Sequence, residues 1–425
     1  MSKNTSETRV PELLISVFQR LEELKKNGLL RERRSVSSPC GVRINLGEDT
    51  FLSFNSNDYL GLASDPRVCA AFEEGIQRYG VGGGASHLIS GHFDSHHLLE
   101  ERLAGFMSPH IYSPQAVFFS SGYSANLGVA QALADLGRED LAFFSDALNH
   151  ASIIDAIRLT KAACHVYAHT DMLELEKLLA ASKALRKVVI TEGVFSMDGD
   201  IAPMEKLVSM CVAHSAVLVV DDAHGFGVLG ANGRGILELF NLKSDPNQLP
   251  IIYIGTLGKA AGVSGAFVCA HTLISKWLVQ RARTYIYTTA APPAGAHALL
   301  TSLELIKGQA GLERRDSLRS NIVRFKECIK SVIELSKNLK NPWALLASDS
   351  AIQPLIIGSN EDALNASRGL EEHGIWVSAI RAPTVPLHTA RLRITLSALH
   401  EKKDIEQLAQ TLKEIVSGLL MMKKV

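Results

Sequence analysis

Short runs of consecutive apolar residues, separated by longer stretches with helical periodicity, dominate the middle of this chain. The runs fall at residues 116–119, 141–145, 164–167, 188–191, 216–220, 251–254 and 266–269. Between several of them, 152–161, 172–182 and 204–214 place apolar residues three and four apart, the spacing of a helix with one buried face. Strands that are apolar throughout and crossed over by helices predict an α/β sheet covered on both faces. Ligands in such sheets sit beyond the carboxyl ends of the strands, so the polar residues that close each run are the ones to examine. Upstream, Leu13, Leu14, Val17, Phe18, Leu21 and Leu24 predict an amphipathic helix with Gly28 as its stop. Residues 42–54 predict a short strand pair before the turn-rich Asn57-Asp58-Tyr59-Leu60-Gly61.

The texture changes after Pro292-Pro293. A helical stretch over about 294–340 precedes an apolar run at 352–357, a helix over 362–373, a strand at 391–395 and a last helix from 403 to about 420. Ile405, Leu408, Leu412, Ile415 and Leu419 mark the apolar face of that last helix. This order predicts a smaller α+β domain over 294–425, after a large domain over 61–293 and an N-terminal segment of helix and short strands over 1–60.

Composition narrows the function. The 425 residues balance 44 Lys and Arg against 44 Asp and Glu. The short basic clusters (Arg31, Arg33 and Arg34; Lys423 and Lys424) fall short of the basic stripe that phosphate-backbone binding requires, so no nucleic-acid partner is expected. The six cysteines are scattered, with no pair at the spacing of a zinc or redox motif. The polar first residues lack a signal peptide's apolar stretch, and no apolar run is long enough to span a bilayer. A cytoplasmic protein with no membrane partner is expected.

Two strand ends carry candidate chemistry. The run at 216–220 closes in Asp221-Asp222-Ala-His224-Gly225. Asp and His are metal ligands, but a metal would need a third ligand that no spaced His or Glu cluster supplies; strand-end capping is the structural alternative. The run at 251–254 enters Gly255-Thr256-Leu257-Gly258-Lys259. A lysine flanked by small residues after a buried strand either snorkels or is desolvated for work, and desolvation exposes a nucleophilic amine. The loop lacks the four-residue gap of a nucleotide P-loop. It suits an aldehyde cofactor carrying its own phosphate.

With these residues the chain resembles the α-oxoamine synthase family of fold-type I pyridoxal-phosphate (PLP) enzymes. The matching stretches are Asn57-Asp-Tyr-Leu-Gly-Leu62, Ser121-Gly-Tyr-Ser-Ala-Asn126, Asn149-His150-Ala-Ser152, Glu192-Gly-Val-Phe-Ser196-Met-Asp-Gly-Asp200, Asp221-Asp-Ala-His-Gly225, Thr256-Leu-Gly-Lys259, Tyr287-Thr-Thr289-Ala-Ala-Pro-Pro293, and the segment from Pro383 through Leu396. The resemblance implies a mostly parallel seven-stranded sheet in the large, PLP-binding domain. It implies that Lys259 holds the cofactor covalently, that Asp221 pairs with the ring nitrogen, and that His224 and Ser196 attend the phenolic oxygen. His150 would stack on the ring. Ser121, Gly122, Tyr123 and Thr256 would hold the phosphate, with Thr289 reaching it from the second subunit of a homodimer with shared sites. Arg393, Asn57, Tyr287 and Arg31 would meet substrate. The implied reaction condenses L-alanine with a pimeloyl thioester, carried by CoA or an acyl carrier protein, releasing CO2 and free thiol on the route to biotin. In it Lys259 moves the Cα proton and His150 assists at the thioester carbonyl. Glycine or serine with another acyl-CoA, a transaminase, and an inactive interaction protein on the same fold are the alternatives. Phe226 and His388 depart from the pattern, which usually has a small hydroxylic residue and a glycine there.

Overall fold

A computed structural model describes residues 11–245 and 250–422; the polar first ten residues and the Lys423–Lys424 pair lie outside them. In chain order the strands are β1 (Arg43–Leu46), β2 (Asp49–Ser53), β3 (Pro114–Phe119), β4 (Leu141–Asp146), β5 (Ala163–Tyr167), β6 (Arg186–Glu192) and β7 (Ala216–Asp221). They continue as β8 (Ile251–Thr256), β9 (Ala266–His271), β10 (Ala344–Leu345), β11 (Ile352–Gly358), β12 (Ile375–Trp376), β13 (Ala379–Ile380) and β14 (Ala390–Thr395).

All seven apolar runs of the middle region are strands of one sheet, in the order β3-β9-β8-β7-β6-β4-β5. Neighbours pair in parallel except at β9, which runs antiparallel to both β3 and β8. Because β9 is flanked by antiparallel partners, β3 still points the same way as β8. The carboxyl ends of β3, β4, β6, β7 and β8 therefore meet at one edge. One face of the sheet packs with Val129, Ile153 and Ile157 in one core; the other packs with Leu103, Leu207 and Leu303 in a second.

A second sheet, β10-β11-β14-β13, is built wholly from the C-terminal part of the chain, whereas in a third β1 pairs with β2 and β2 with β12. The helical stretch expected at 294–340 is two helices, Pro293–Lys307 and Gln309–Ser336, broken at Gly308, whose extended backbone (φ −88°, ψ −173°) cannot continue the first.

The loop after β6 joins the two larger sheets. Arg391 of β14 pairs with Asp198 and donates to the Met197 carbonyl at 3.2 Å. Two residues on, Arg393 Nε donates to the Ser196 carbonyl at 2.8 Å. Ser348 Oγ donates to the Gly199 carbonyl at 2.8 Å. From the other side His169 sits between Asp146 Oδ1 and Asp200 Oδ2, 2.9 Å from each. Burial would lower its pKa, but the hydrogen bonds and charges of the two carboxylates outweigh that and raise it to about 10. The ring is an imidazolium that pins this loop to the end of β4.

Candidate active site

The expected residues gather at the shared strand edge. Glu192 closes β6 directly beside Asp221, which closes β7, and Lys259 follows β8 by three residues. Side chains alternate faces along a strand, so only one of the adjacent carboxylates Asp221 and Asp222 can face the edge cavity. It is Asp221. Its Oδ2 accepts from Asn126 Nδ2 at 2.7 Å and its Oδ1 from the Ala223 N–H at 3.0 Å. Asp222 turns into the core, where Oδ2 accepts from the Ile236 N–H (2.7 Å) and the Tyr253 hydroxyl (2.8 Å), and burial pushes its pKa up to about 7. Asp221, Asp222 and His224 thus do not converge as a metal site.

A cavity of 470 Å³ is lined by Ser121, Gly122, Tyr123, His150, Asp221, His224, Thr256 and Lys259, among others. Ser121 caps the helix Gly122–Ala134, its hydroxyl accepting from the Ser124 N–H at 3.1 Å. First-turn N–H groups have no partner within a helix and favour an anion. A Cβ on Gly122 would lie 2.8 Å from Thr256 Cγ2, so only glycine lets this helix end close against the β8 threonine. A second cavity of 310 Å³ is lined by Asn55, Ser196, Ser378, Ile380 and Arg393, and shares Asn57, His150, His224 and Lys259 with the first. The site has two lobes that meet at the lysine. An anion cradle closes one, and an arginine the other.

Lys259 Nζ lies 2.9 Å from His224 Nε2, whose Nδ1 lies 2.5 Å from the Tyr59 hydroxyl. Tyr59 in turn lies 3.1 Å from Asn57 Oδ1, which accepts from Arg393 Nη1 at 3.3 Å. An amide oxygen only accepts and a guanidinium only donates, so the tyrosyl proton points to Asn57. His224 then carries its proton on Nδ1 and offers Nε2 to the lysine. Burial, then the Lys259 and Arg393 charges, holds His224 neutral, far below the usual histidine range. Burial also lowers Lys259 to about 8, against the opposing pull of Asp221 and Glu192. An amine poised there needs little help to lose its proton.

A second chain of hydrogen bonds fixes His150. It caps the helix Ala151–Thr160, its Nδ1 accepting from the Ser152 N–H at 3.2 Å, with Ser152 Oγ at 2.7 Å. Asn126 Nδ2 donates to Ser152 Oγ at 2.9 Å as well as to Asp221. A backbone N–H can only donate, so neutral His150 carries its proton on Nε2, and burial keeps it neutral. It is a hydrogen-bond donor at its free nitrogen.

Three expected residues lie outside both lobes. Tyr287 is 71% exposed and Thr289 is exposed beside it. Arg31 lines a third cavity, of 570 Å³, with Leu21, Leu24 and Pro383, which adjoins the second lobe through Ile380. Conversely, the structure adds Tyr59, Asn126, Ser152 and Glu192 to the site. Burial, then the Asp221 charge, raises the Glu192 carboxyl to about 8. Its Oε1 has no hydrogen-bond partner among the described residues.

The family described as aminotransferase class I and II matches residues 49–412. The chain belongs to that family, on the branch of the 8-amino-7-oxononanoate synthases. It is 51% identical to the 8-amino-7-oxononanoate synthase of Janthinobacterium sp. (strain Marseille), over 95% of this chain and 98% of that protein. It is 49% identical to the Bordetella petrii protein of the same name, with the same coverage. Among solved structures, the Francisella tularensis 8-amino-7-oxononanoate synthase superposes with a TM-score of 0.71 at 32% identity, covering 87% of this chain and 98% of that one. Sphingomonas wittichii serine palmitoyltransferase superposes at 0.82 and 27% identity, covering 96% and 97%.

Proposed function

We propose that this protein is a PLP-dependent acyltransferase that condenses L-alanine with a pimeloyl thioester to give 8-amino-7-oxononanoate, CO2 and free thiol, a step of biotin biosynthesis. The observation that carries the reading is Lys259, an amine lowered to about 8 where an anion cradle and an arginine-closed lobe meet. The residues fit the cofactor. Ser121, Gly122, Tyr123 and Thr256 would hold its phosphate, Asp221 its ring nitrogen, His224 and Ser196 its phenolic side, and His150 its face. Bound through Lys259, PLP supplies a sink for the electrons left at an amino acid's Cα.

The chain's own residues do the rest. Arg393 turns Nη2 to the alanine carboxylate as a charged donor, with its Nε held by the Ser196 carbonyl and its Nη1 by Asn57 and Thr395. Lys259 Nζ takes the Cα proton and returns one after CO2 has left. His150 Nε2–H donates to the thioester carbonyl oxygen as negative charge gathers there. Arg31 and the apolar residues beside it extend the second lobe toward the acyl donor, with CoA or a carrier protein as the thiol. Thr289 and Tyr287, exposed in one subunit, suit a homodimer in which each subunit completes the other's phosphate site. The division at 60/61 and 293/294 is supported by the seven-stranded sheet falling wholly within 61–293. No helix among the described residues is long and apolar enough to cross a membrane, in keeping with a cytoplasmic enzyme.

The test is a matrix of L-alanine, glycine and L-serine against pimeloyl, acetyl, succinyl and palmitoyl thioesters, reading CO2, free thiol and product mass. L-Alanine with the pimeloyl thioester should outrun every other pair. Faster turnover of serine with palmitoyl-CoA would instead place the chain with serine palmitoyltransferase.

A further inference from the structure

Three histidines outside the two lobes converge on one another. His87 opens a five-residue π-helical turn, His87–Gly91; His92 follows it; His96 lies in the first turn of the helix Asp94–Met107. The turn is tight. A Cβ on Gly91 would fall 2.1 Å from the Ala85 carbonyl oxygen, so glycine is required for the segment to fold back. The fold-back brings His87 Nδ1 to 2.9 Å from His92 Nδ1. One ring nitrogen from each of the three histidines lies within 4.8 Å of the other two.

Two of the rings are also held from behind. His96 Nε2 donates to the Ala291 carbonyl at 2.9 Å, which leaves the lone pair on Nδ1; that atom now accepts from the Phe93 N–H at 3.1 Å. His92 Nε2 faces Glu100 Oε2 at 3.9 Å, and Glu100 is itself fixed by the Phe118 N–H at 2.8 Å. His87 stacks flat on Tyr285, with ring centroids 4.8 Å apart. His96, whose far nitrogen is tied to a backbone carbonyl, has the outer-shell arrangement found behind metal ligands, whereas Glu100, raised to about 8 by burial, stands beyond hydrogen-bond reach of His92.

Charge points the same way. Burial, then mutual repulsion, lowers His87 to about 3; burial leads the lowering of His96 to about 4 and of His92. The rings are neutral, the form that binds a metal. Two nitrogens on one tetrahedral zinc are about 3.3 Å apart for bonds of about 2.0 Å, so the His87–His92 pair needs to open by only a few tenths of an ångström. All donors are imidazoles, which suit zinc, cobalt, nickel and copper rather than magnesium or calcium.

We propose that His87, His92 and His96 bind one borderline divalent cation, with Zn2+ as its reference member, at a site distinct from the one that holds Lys259. None of the three lines either lobe. The bound ion ties the segment 85–96 to residues 290–291, where the Ala290 N–H already donates to the Ala85 carbonyl at 2.9 Å. That stretch follows Thr289 directly, so occupancy stiffens the segment expected to reach the second subunit.

The experiment is calorimetric titration of the PLP-loaded, full-length enzyme with Zn2+, repeated with Co2+ to read ligand-field absorption. One equivalent per chain is expected, with a tetrahedral cobalt spectrum. Outer-shell partners alone are worth roughly 10–100-fold in metal affinity. A direct ligand is worth at least the top of that range, so His92→Gln or His87→Gln should weaken binding at least about 100-fold, while His97→Gln leaves it unchanged. The partly exposed His92 ring keeps the test usable if His87→Gln does not fold. Absence of stoichiometric Zn2+ binding, or binding that His92→Gln leaves intact, overturns the proposal.

Discussion

Replacing Asp221 and Asp222 one at a time separates catalysis from folding at a single strand end. In Asp221→Asn, whichever way the new amide turns, its NH2 confronts a donor, because one oxygen accepts from Asn126 and the other from the Ala223 N–H. A lost buried hydrogen bond with its partner left unpaired costs about 1–3 kcal/mol. That is less than the roughly 5–15 kcal/mol that holds a typical domain folded, so the variant should fold. Removing the charge takes away the carboxylate proposed to meet the ring nitrogen, and such a preorganised partner is worth about 3 kcal/mol in a transition state, on the order of 100-fold in rate. Asp222→Asn is the mirror case. Its amide oxygen can keep both bonds of Oδ2, while the NH2 takes the place of Oδ1, which has no partner among the described residues. The assay is deuterium exchange at the alanine Cα without thioester, with circular dichroism and cofactor stoichiometry alongside. Asp221→Asn should lose about 100-fold in exchange and keep its fold; Asp222→Asn should stay within about 5-fold of the parent. Parent-like exchange in Asp221→Asn, or an equal loss in both, would refute the assignment of Asp221.

Three further outcomes are expected. Tyr59→Phe strips His224 Nδ1 of its partner at a buried position, and kcat/KM for L-alanine should fall by about 10–100-fold, equivalent to roughly 1–3 kcal/mol, with the KM for the thioester little changed in steady-state assays. His169 is raised from 6.5 to about 10, so its stabilisation is complete below pH 6.5 and is lost as pH climbs through 10. The full effect would be about 5 kcal/mol, cut to about 2–3 kcal/mol by solvent at a ring that is 25% exposed; thermal melts of parent and His169→Gln should converge over that window, and parallel curves would contradict the clamp. Subunits carrying Lys259→Ala mixed with subunits carrying Thr289→Ala should recover one intact site per mixed dimer, and no recovery after demonstrated subunit exchange would remove Thr289 from its partner's site.

Six of the seven strands of the main sheet are legible in the sequence because burial on both faces leaves each with an apolar run; β5, at the sheet edge, is mostly exposed and buries only Tyr167. Direction is not legible in such a run, which is why antiparallel β9 cannot be told from its parallel neighbours before the fold is seen. The break at Gly308 hides for a related reason: apolar spacing persists on both sides of it, so the pattern reads through. At the site, Lys259, Asp221 and His224 stand out because each closes or follows a strand. Tyr59 and Asn126 do not, since their partners His224 and Asp221 lie 165 and 95 positions away in the chain. An isolated Tyr or Asn in sequence carries no mark of a partner that far off. Arg31 lines a third cavity that adjoins the second lobe, rather than either lobe itself, a placement that depends on how the first helix lies.

The loop after β6 bears on how this enzyme could be recombined with its relatives. Arg393, proposed to meet the substrate carboxylate, is encoded near the end of the chain, yet its Nε is held by the Ser196 carbonyl while Thr395 and Asn57 hold Nη1, and Arg391 two residues before it is anchored by Asp198. A chimaera that borrows residues 344–395 from another family member therefore inherits an arginine without the backbone that points it. Crossovers should succeed when 192–200 travels with the C-terminal piece, and should yield folded but carboxylate-blind proteins when it does not.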